Sequence, residues 1–190
     1  MKKFSKQERQ KKLGNIIDEN PFLTDRELAE KLNVSVQTIR LDRLELNIPE
    51  VRKRTRQLAH NAYDNLKSVT EGEVIGELIK LELNNYAESF LHTTQEMALK
   101  KSNIIRGHHI FAQANSLAVA VINAELVLTG SVELKYIKPV NVGDSLLAQA
   151  RVESIDDSKH FVRVETKRNE DIVFNGSFTM FPRKGRDYND

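Results

Sequence analysis

Between Gln37 and Leu44 the chain carries Gln37, Thr38, Arg40, Leu41 and Leu44, side chains that match what the edge of a base pair offers. Gln pairs with adenine, Arg with guanine, and an exposed Leu meets the methyl of thymine. At about 100° per residue Gln37, Arg40, Leu41 and Leu44 fall on one side of a helix, with Val36, Ile39 and Leu46 on the other as its expected core face. A few residues on, Arg52, Lys53, Arg54 and Arg56 form a basic cluster suited to phosphates or an adjacent minor groove. A third candidate is Arg106, a permanent cation just before the start of an apolar helix, where backbone N–H groups and the helix dipole favour an anion. Its guanidinium can hold a carboxylate through two parallel hydrogen bonds. The alternatives are a solvated face for Gln37 and Arg40 with Leu41 and Leu44 covering a neighbouring domain, a solvated basic face for the cluster, and for Arg106 a structural ion pair with an acid such as Glu125. His108 and His109 are adjacent, point to different sides of a helix start and lack a second ligand pair at metal-binding spacing, so they are expected to be hydrogen-bonded structural residues and no metal is expected.

The elements that would position these groups are legible from caps and periodicity. Thr24 followed by Glu27 makes a reciprocal capping box, which predicts a helix from Asp25 to about Leu32. Ser35 caps the next helix, with Val34 and Ile39 as an apolar staple, and Asn33-Val34 form the turn between the two. Ahead of them Gln7 to Glu19 carries Leu13, Ile16 and Ile17 on one stripe and stops at Asn20-Pro21. Three helices in about fifty residues predict a three-helix, winged-type helix-turn-helix over residues 1–50. Ile48-Pro49-Glu50 starts a further helix, and Val51, Leu58, Ala62 and Leu66 give it an apolar stripe, so residues 51–70 are expected to be an amphipathic linker helix.

Charge and composition bound the rest. Residues 1–50 hold ten Lys/Arg and nine Asp/Glu, residues 51–70 five and one, residues 71–190 fourteen and seventeen, so the positive excess sits in the linker. The absence of cysteine excludes disulfides and thiolate metal sites. No apolar run has signal-peptide or membrane-spanning length, which predicts a cytoplasmic protein without membrane attachment. Strands are expected at Val74–Leu81, which also reads as a short helix, and Glu88–Thr94, then a small-residue helix at Ile110–Asn123, then strands at Leu126–Tyr136, Ser145–Ile155, His160–Arg168 and Asp171–Phe181. One buried helix followed by an antiparallel meander makes residues 71–190 an α+β domain. Asp144 follows Gly143 in a turn, where Asp is expected to bond local backbone.

The run Arg106-Gly107-His108-His109-Ile110-Phe111-Ala112-Gln113-Ala114-Asn115, with Tyr136-Ile137-Lys138-Pro139-Val140-Asn141-Val142-Gly143-Asp144, resembles the turn, central helix and strand signature of hotdog-fold acyl-CoA thioesterases over about residues 71–182. Joined to TIRLDR and IPEVRKR in the front third, the whole chain resembles the FapR family, bacterial repressors of fatty-acid and phospholipid synthesis genes. Against the thioesterase pattern, Arg106 stands where His is usual and Asn115 where the carboxylate is usual; a neutral amide cannot be the general base or nucleophile. The repressor resemblance implies malonyl-CoA, or malonyl on acyl carrier protein, as effector and no cofactor. It implies effector contacts at Arg106, Gly107, Asn115 and Leu128, with Leu99 where the family has Phe. It also implies a homodimer whose two readers bind operator DNA as an inverted repeat and release it when the effector binds. A hotdog acyl-CoA thioesterase is the alternative function.

Overall fold

In the computed structural model the described residues are 4–55, 63, 66–69, 72–156 and 158–183. The chain forms two compact units, residues 1–57 and 58–190.

The first unit is built from capped helices. Ser5 and Glu8 form a capping box at the start of α1 (Lys6–Glu19), and Thr24 and Glu27 form the expected one at the start of α2 (Asp25–Leu32). Asn33 then turns the chain in the left-handed region, φ 52°, a conformation Asn tolerates well. Ser35 accepts the Thr38 N–H to cap α3 (Val36–Glu45). Leu13, Ile17, Leu23, Leu28, Ala29, Leu32 and Ile39 make one apolar core beneath the three helices. Ile39 belongs to it as expected, but Leu46 does not: α3 ends at Glu45, and Leu46 is its C-cap and 38% exposed. The inward positions one turn beyond Ile39 are instead Asp42 and Arg43. Arg9 grips Asp42 (Nε to Oδ2 2.5 Å, Nη2 to Oδ1 3.1 Å), which lets both charges leave water. That guanidinium holds the Asp42 carboxyl below its usual range.

No strand follows α3 among described residues 4–55, so the expected wing is not found there. Residues 51–55 are helical, the start of α4, with the Arg54 N–H bonded to the Glu50 carbonyl. The expected helix does not run to residue 70, since residues 66–69 are not helical; Leu58 and Ala62 lie outside the described residues. Tyr63, Leu66 and Val69 pack against the core of the second unit, and the Ser68 hydroxyl donates to the Val119 carbonyl.

That second unit is a single antiparallel sheet curved around one helix. Its strands are β1 (Glu77–Glu82), β2 (Tyr86–His92), β3 (Leu126–Tyr136), β4 (Ser145–Asp156), β5 (Lys159–Arg168) and β6 (Asp171–Arg183), in the order β1-β2-β4-β5-β6-β3. The last four follow the alternation in the sequence closely. β1 starts three residues later than expected, because Gly76 adopts φ +87° and leaves Val74 and Ile75 in a bend. A Cβ at Gly76 would also stand 2.5 Å from the Phe90 carbonyl oxygen. The central helix α5 (Gly107–Ala120) lies about one turn earlier than expected. Ala114, Leu117, Ala118 and Ala120 are fully buried among Leu78, Leu146, Ala148, Val164, Phe174 and Phe178. Small side chains on that face allow helix and sheet to approach closely.

Candidate effector and DNA-binding sites

The central helix opens at Arg106, whose extended backbone (φ −66°, ψ 129°) makes it the N-cap, with no side chain capping the helix there. Just before it, Ala98 bridges Ile105 and the Leu99 N–H bonds the Ile104 carbonyl, so the segment leading out of the 3-10 turn Gln95–Met97 folds back along the residues entering α5. Arg106 ties this hairpin together. Its backbone N–H and its Nε both donate to the Met97 carbonyl (3.0 and 3.2 Å), and Nη2 donates to the Glu96 carbonyl at 2.6 Å. Nη2 also lies 3.2 Å from His109 Nε2. Burial, with His108 and Arg106 adding to it, lowers the His109 pKa, so the ring is neutral at pH 7 and its Nε2 accepts. This expected structural histidine therefore has a defined partner. The hydrogen bonds of Arg106 run to carbonyls and an imidazole, in place of the carboxylate partner the sequence left open.

Among the described residues these bonds leave the two N–H groups of Nη1 for an anion. A fork of Nη1 and Nη2 on one carboxylate requires Nη2 to exchange its bond to Glu96 or His109. The two-pronged grip expected from the sequence is thus coupled to the placement of residues 95–99.

Gly107 is the first residue of α5. A Cβ there would stand 2.9 Å from the Tyr136 ring, and the Tyr136 hydroxyl donates to the Gly107 carbonyl at 3.0 Å. The close approach is therefore by an aromatic ring from β3. Beside it opens a cleft of about 460 Å³ lined by Ile104, Gly107, Ile110, Tyr136, Lys138 and Val140 among others. Sequence reasoning missed Ile104, Tyr136 and Lys138 as site residues; only the run from Tyr136 to Val140 hinted at them. Leu99, at 48% exposed, is an apolar residue at the rim of the hairpin.

Asn115 is more than two turns further along α5, about 13 Å from Arg106 at the usual rise. Its Oδ1 accepts the Thr129 hydroxyl at 2.8 Å, which leaves Nδ2 as a donor, and Leu128 next to Thr129 is exposed on β3. The five expected effector residues thus form two groups within one chain, Leu99, Arg106 and Gly107 at the helix start and Asn115 with Leu128 beside the edge strand. Asp144 is occupied as expected for a turn, accepting from the Asn141 N–H and from Arg168.

In the first unit, Gln37, Arg40, Leu41 and Leu44 are all exposed on α3, Leu44 to 70%. Thr38 is half-buried and its hydroxyl bonds Ser35 Oγ at 2.9 Å, so it belongs to the cap as much as to the outer face. Arg52 and Lys53 are exposed, and Arg56 lies outside the described residues. Arg54 departs from expectation. It is only 6% exposed and donates to the carbonyls of Pro21 (2.9 Å), Leu23 (2.7 Å) and Pro49 (2.5 Å). Burial, helped by the nearby Arg43 charge, pulls its pKa down to about 10, so it stays protonated at pH 7. Its position three residues after Val51 was the available signal: it lies on the inward stripe of α4. Arg54 therefore fastens the start of α4 to the turn before α2, and cannot lie on phosphate.

A capped helix-turn-helix in one unit and an antiparallel sheet wrapped on a central helix in the other define a helix-turn-helix regulator that carries a hotdog domain. Residues 105–174 match the thioesterase superfamily. Over 183 residues the chain is 47% identical to the transcription factor FapR of Bacillus cereus strain B4264, covering 95% of this chain and 93% of that protein, and the FapR of Bacillus anthracis strain CDC 684 matches to the same extent. The chain belongs to the FapR family of transcription factors. Among solved structures it is similar to the uncharacterized protein PH1136 from Pyrococcus horikoshii, with a TM-score of 0.57 and 29% identity over 67% of this chain and 92% of that one. It is also similar to Cj0977, a sigma28-regulated virulence protein from Campylobacter jejuni, with a TM-score of 0.55 and 30% identity over 60% and 87%. Among the described residues no helix is long and apolar enough to cross a membrane, and no group of His, Cys, Asp or Glu could hold a metal ion.

Proposed function

We propose that this chain represses genes of fatty-acid and phospholipid synthesis and leaves its operator when malonyl-CoA, or malonyl carried on acyl carrier protein, binds the hotdog unit. It works in the bacterial cytoplasm, where the chromosome is. The observation that carries the reading is Arg106 at the N-cap of α5, its Nη1 without a hydrogen bond among the described residues, followed directly by Gly107, which lines the cleft. A fixed cation and the first N–H groups of a helix favour a short anion, and an acyl group ending in carboxylate meets both. Leu99 and Gly107 shape this end. Asn115 offers an amide N–H and Leu128 an apolar wall at the other.

The active form is a homodimer. In one chain β3 is an eleven-residue edge strand, a template that would otherwise stand unpaired. Pairing it with a second copy places Asn115 and Leu128 at the seam and extends the site across two chains. The dimer presents two α3 helices to an inverted repeat with half-sites about one DNA turn, ~34 Å, apart. Gln37, Thr38, Arg40, Leu41 and Leu44 face the bases, and Arg52, Lys53 and Arg56 supply phosphate or minor-groove contacts. The division into reader (1–50), linker (51–70) and effector domain (71–190) follows the same roles. With Asn115 in the carboxylate position and Arg106 in that of the histidine, the hotdog unit binds thioesters without hydrolysing them.

Effector and operator oppose each other with a coupling of about 1–3 kcal/mol, the ordinary range for allosteric proteins. The test is a gel shift on a palindromic operator. Malonyl-CoA should release the natural protein and leave Arg106→Ala bound; release of both alike would contradict the role of Arg106.

A further inference from the structure

Arg40 stands on the outer face of α3, and its Nε lies 3.5 Å from Oδ2 of Asp25, the first residue of α2. The two side chains differ sharply in setting: that of Asp25 is 18% exposed and that of Arg40 60%. The Asp25 carboxylate is fixed from behind. Arg43 donates Nε to Oδ1 at 2.6 Å and Nη2 to Oδ2 at 2.8 Å, and its Nη1 is held on the Ile48 carbonyl at 2.9 Å. A line of contacts therefore runs from the backbone at Ile48 through Arg43 and Asp25 to Arg40. A free arginine samples many rotamers and loses that freedom on binding a base. A fixed carboxylate at ion-pair distance from Nε biases it beforehand, and leaves Nη1 and Nη2 as the fork that fits O6 and N7 of guanine.

We propose that Asp25 is a specificity-determining positioning residue: locked by Arg43, it aims the Arg40 guanidinium at one guanine in each half-site. The proposal rests on α3 being the reading helix. Asp25 need not touch DNA. Its effect appears in which base is preferred more than in how tightly DNA as a whole is held.

The experiment measures relative affinities at every position of a double-stranded pool with randomised inverted half-sites, using the full chain as natural protein, Asp25→Asn, Arg40→Ala and the double variant. Asp25→Asn keeps an acceptor for Arg43, and its thermal melting is followed in parallel. Asp25→Glu restores the charge one methylene further out as a second variant. Arg40→Ala should abolish the guanine preference at one position. Asp25→Asn should weaken the same preference roughly three- to tenfold, a fraction of what a bidentate pair supplies, with Asp25→Glu partly restoring it. In the Arg40→Ala background Asp25→Asn should change no base ratio further. Asp25→Asn lowering affinity equally on all sequences, sharpening the guanine preference, or acting undiminished without Arg40 would overturn the proposal. Arg40→Ala leaving every base preference intact would instead overturn the assignment of Arg40 to the reading face.

Discussion

Replacing Arg54 separates a buried clamp from a phosphate contact, two roles that the basic run 52–56 leaves indistinguishable in the sequence. The guanidinium donates to three backbone carbonyls, those of Pro21, Leu23 and Pro49, in a setting with little solvent. Hydrogen bonds from a charged donor contribute about 1.5–3 kcal/mol each, and the three share one desolvation penalty, visible in the pKa pulled down to about 10. Arg54→Ala removes the bonds and the penalty together and leaves three carbonyls to be rehydrated. The net loss is about 3–4 kcal/mol, a large part of the ~5–15 kcal/mol that holds a domain together. Thermal unfolding followed by far-UV ellipticity should show the transition of the first unit moved down strongly and that of the hotdog unit unchanged. Arg52→Ala, at an exposed position, should shift stability by less than about 0.5 kcal/mol. Operator affinity against salt gives the second axis. Arg52→Ala should flatten the log–log slope by about one, as for a lost phosphate contact, while Arg54→Ala at a temperature where it is folded should keep the natural slope. A stable Arg54→Ala with a flattened slope would refute the clamp.

Two further outcomes follow from the hotdog unit. Gly107→Ala would place a methyl about 3 Å from the Tyr136 ring and disturb its bond to the Gly107 carbonyl. Because Tyr136 is half-exposed and can swing, the expected cost is only about 1 kcal/mol by differential scanning calorimetry, with a weaker response to malonyl-CoA because the ring also walls the cleft. Among the described residues the buried His160 has no hydrogen-bond partner at Nδ1, and burial lowers its pKa from 6.5. The unfolded chain takes up a proton near pH 6.5 that the folded one resists. The stability it contributes is therefore present above that pH and lost as pH falls through the lower folded value. Melting temperatures between pH 7 and pH 5 should fall less for His160→Gln than for the natural protein; parallel pH profiles would rule this out.

Where caps and alternation are local, the sequence specifies the structure closely. Thr24 with Glu27, Ser35 with its staple, and the long strands from Leu126 onward each depend on neighbours within a few residues. What was hidden depends on partners far along the chain. Leu46 looked like core by phase alone, but α3 stops one residue short of it, and Asp42 and Arg43 go inside because Arg9 and Asp25 wait for them. Arg54 looked like its basic neighbours because the carbonyls it serves, at Pro21 and Leu23, come from another turn. At the effector site Arg106 and Asn115 were legible as departures from an enzyme's pattern. The engagement of Arg106 with Glu96, Met97 and His109 was not, since two of those partners are main-chain atoms and carry no side-chain signal.

Calorimetric titration of malonyl-CoA against acetyl-CoA decides whether Arg106 reads the acyl carboxylate, because the two ligands differ by one terminal carboxylate. A charge-assisted bond to Arg106 of about 1.5–3 kcal/mol predicts malonyl-CoA binding at least roughly tenfold tighter, with that preference lost in Arg106→Ala. Equal affinity for both thioesters in the natural protein, or a malonyl preference that survives Arg106→Ala, would rule out Arg106 as the carboxylate's partner.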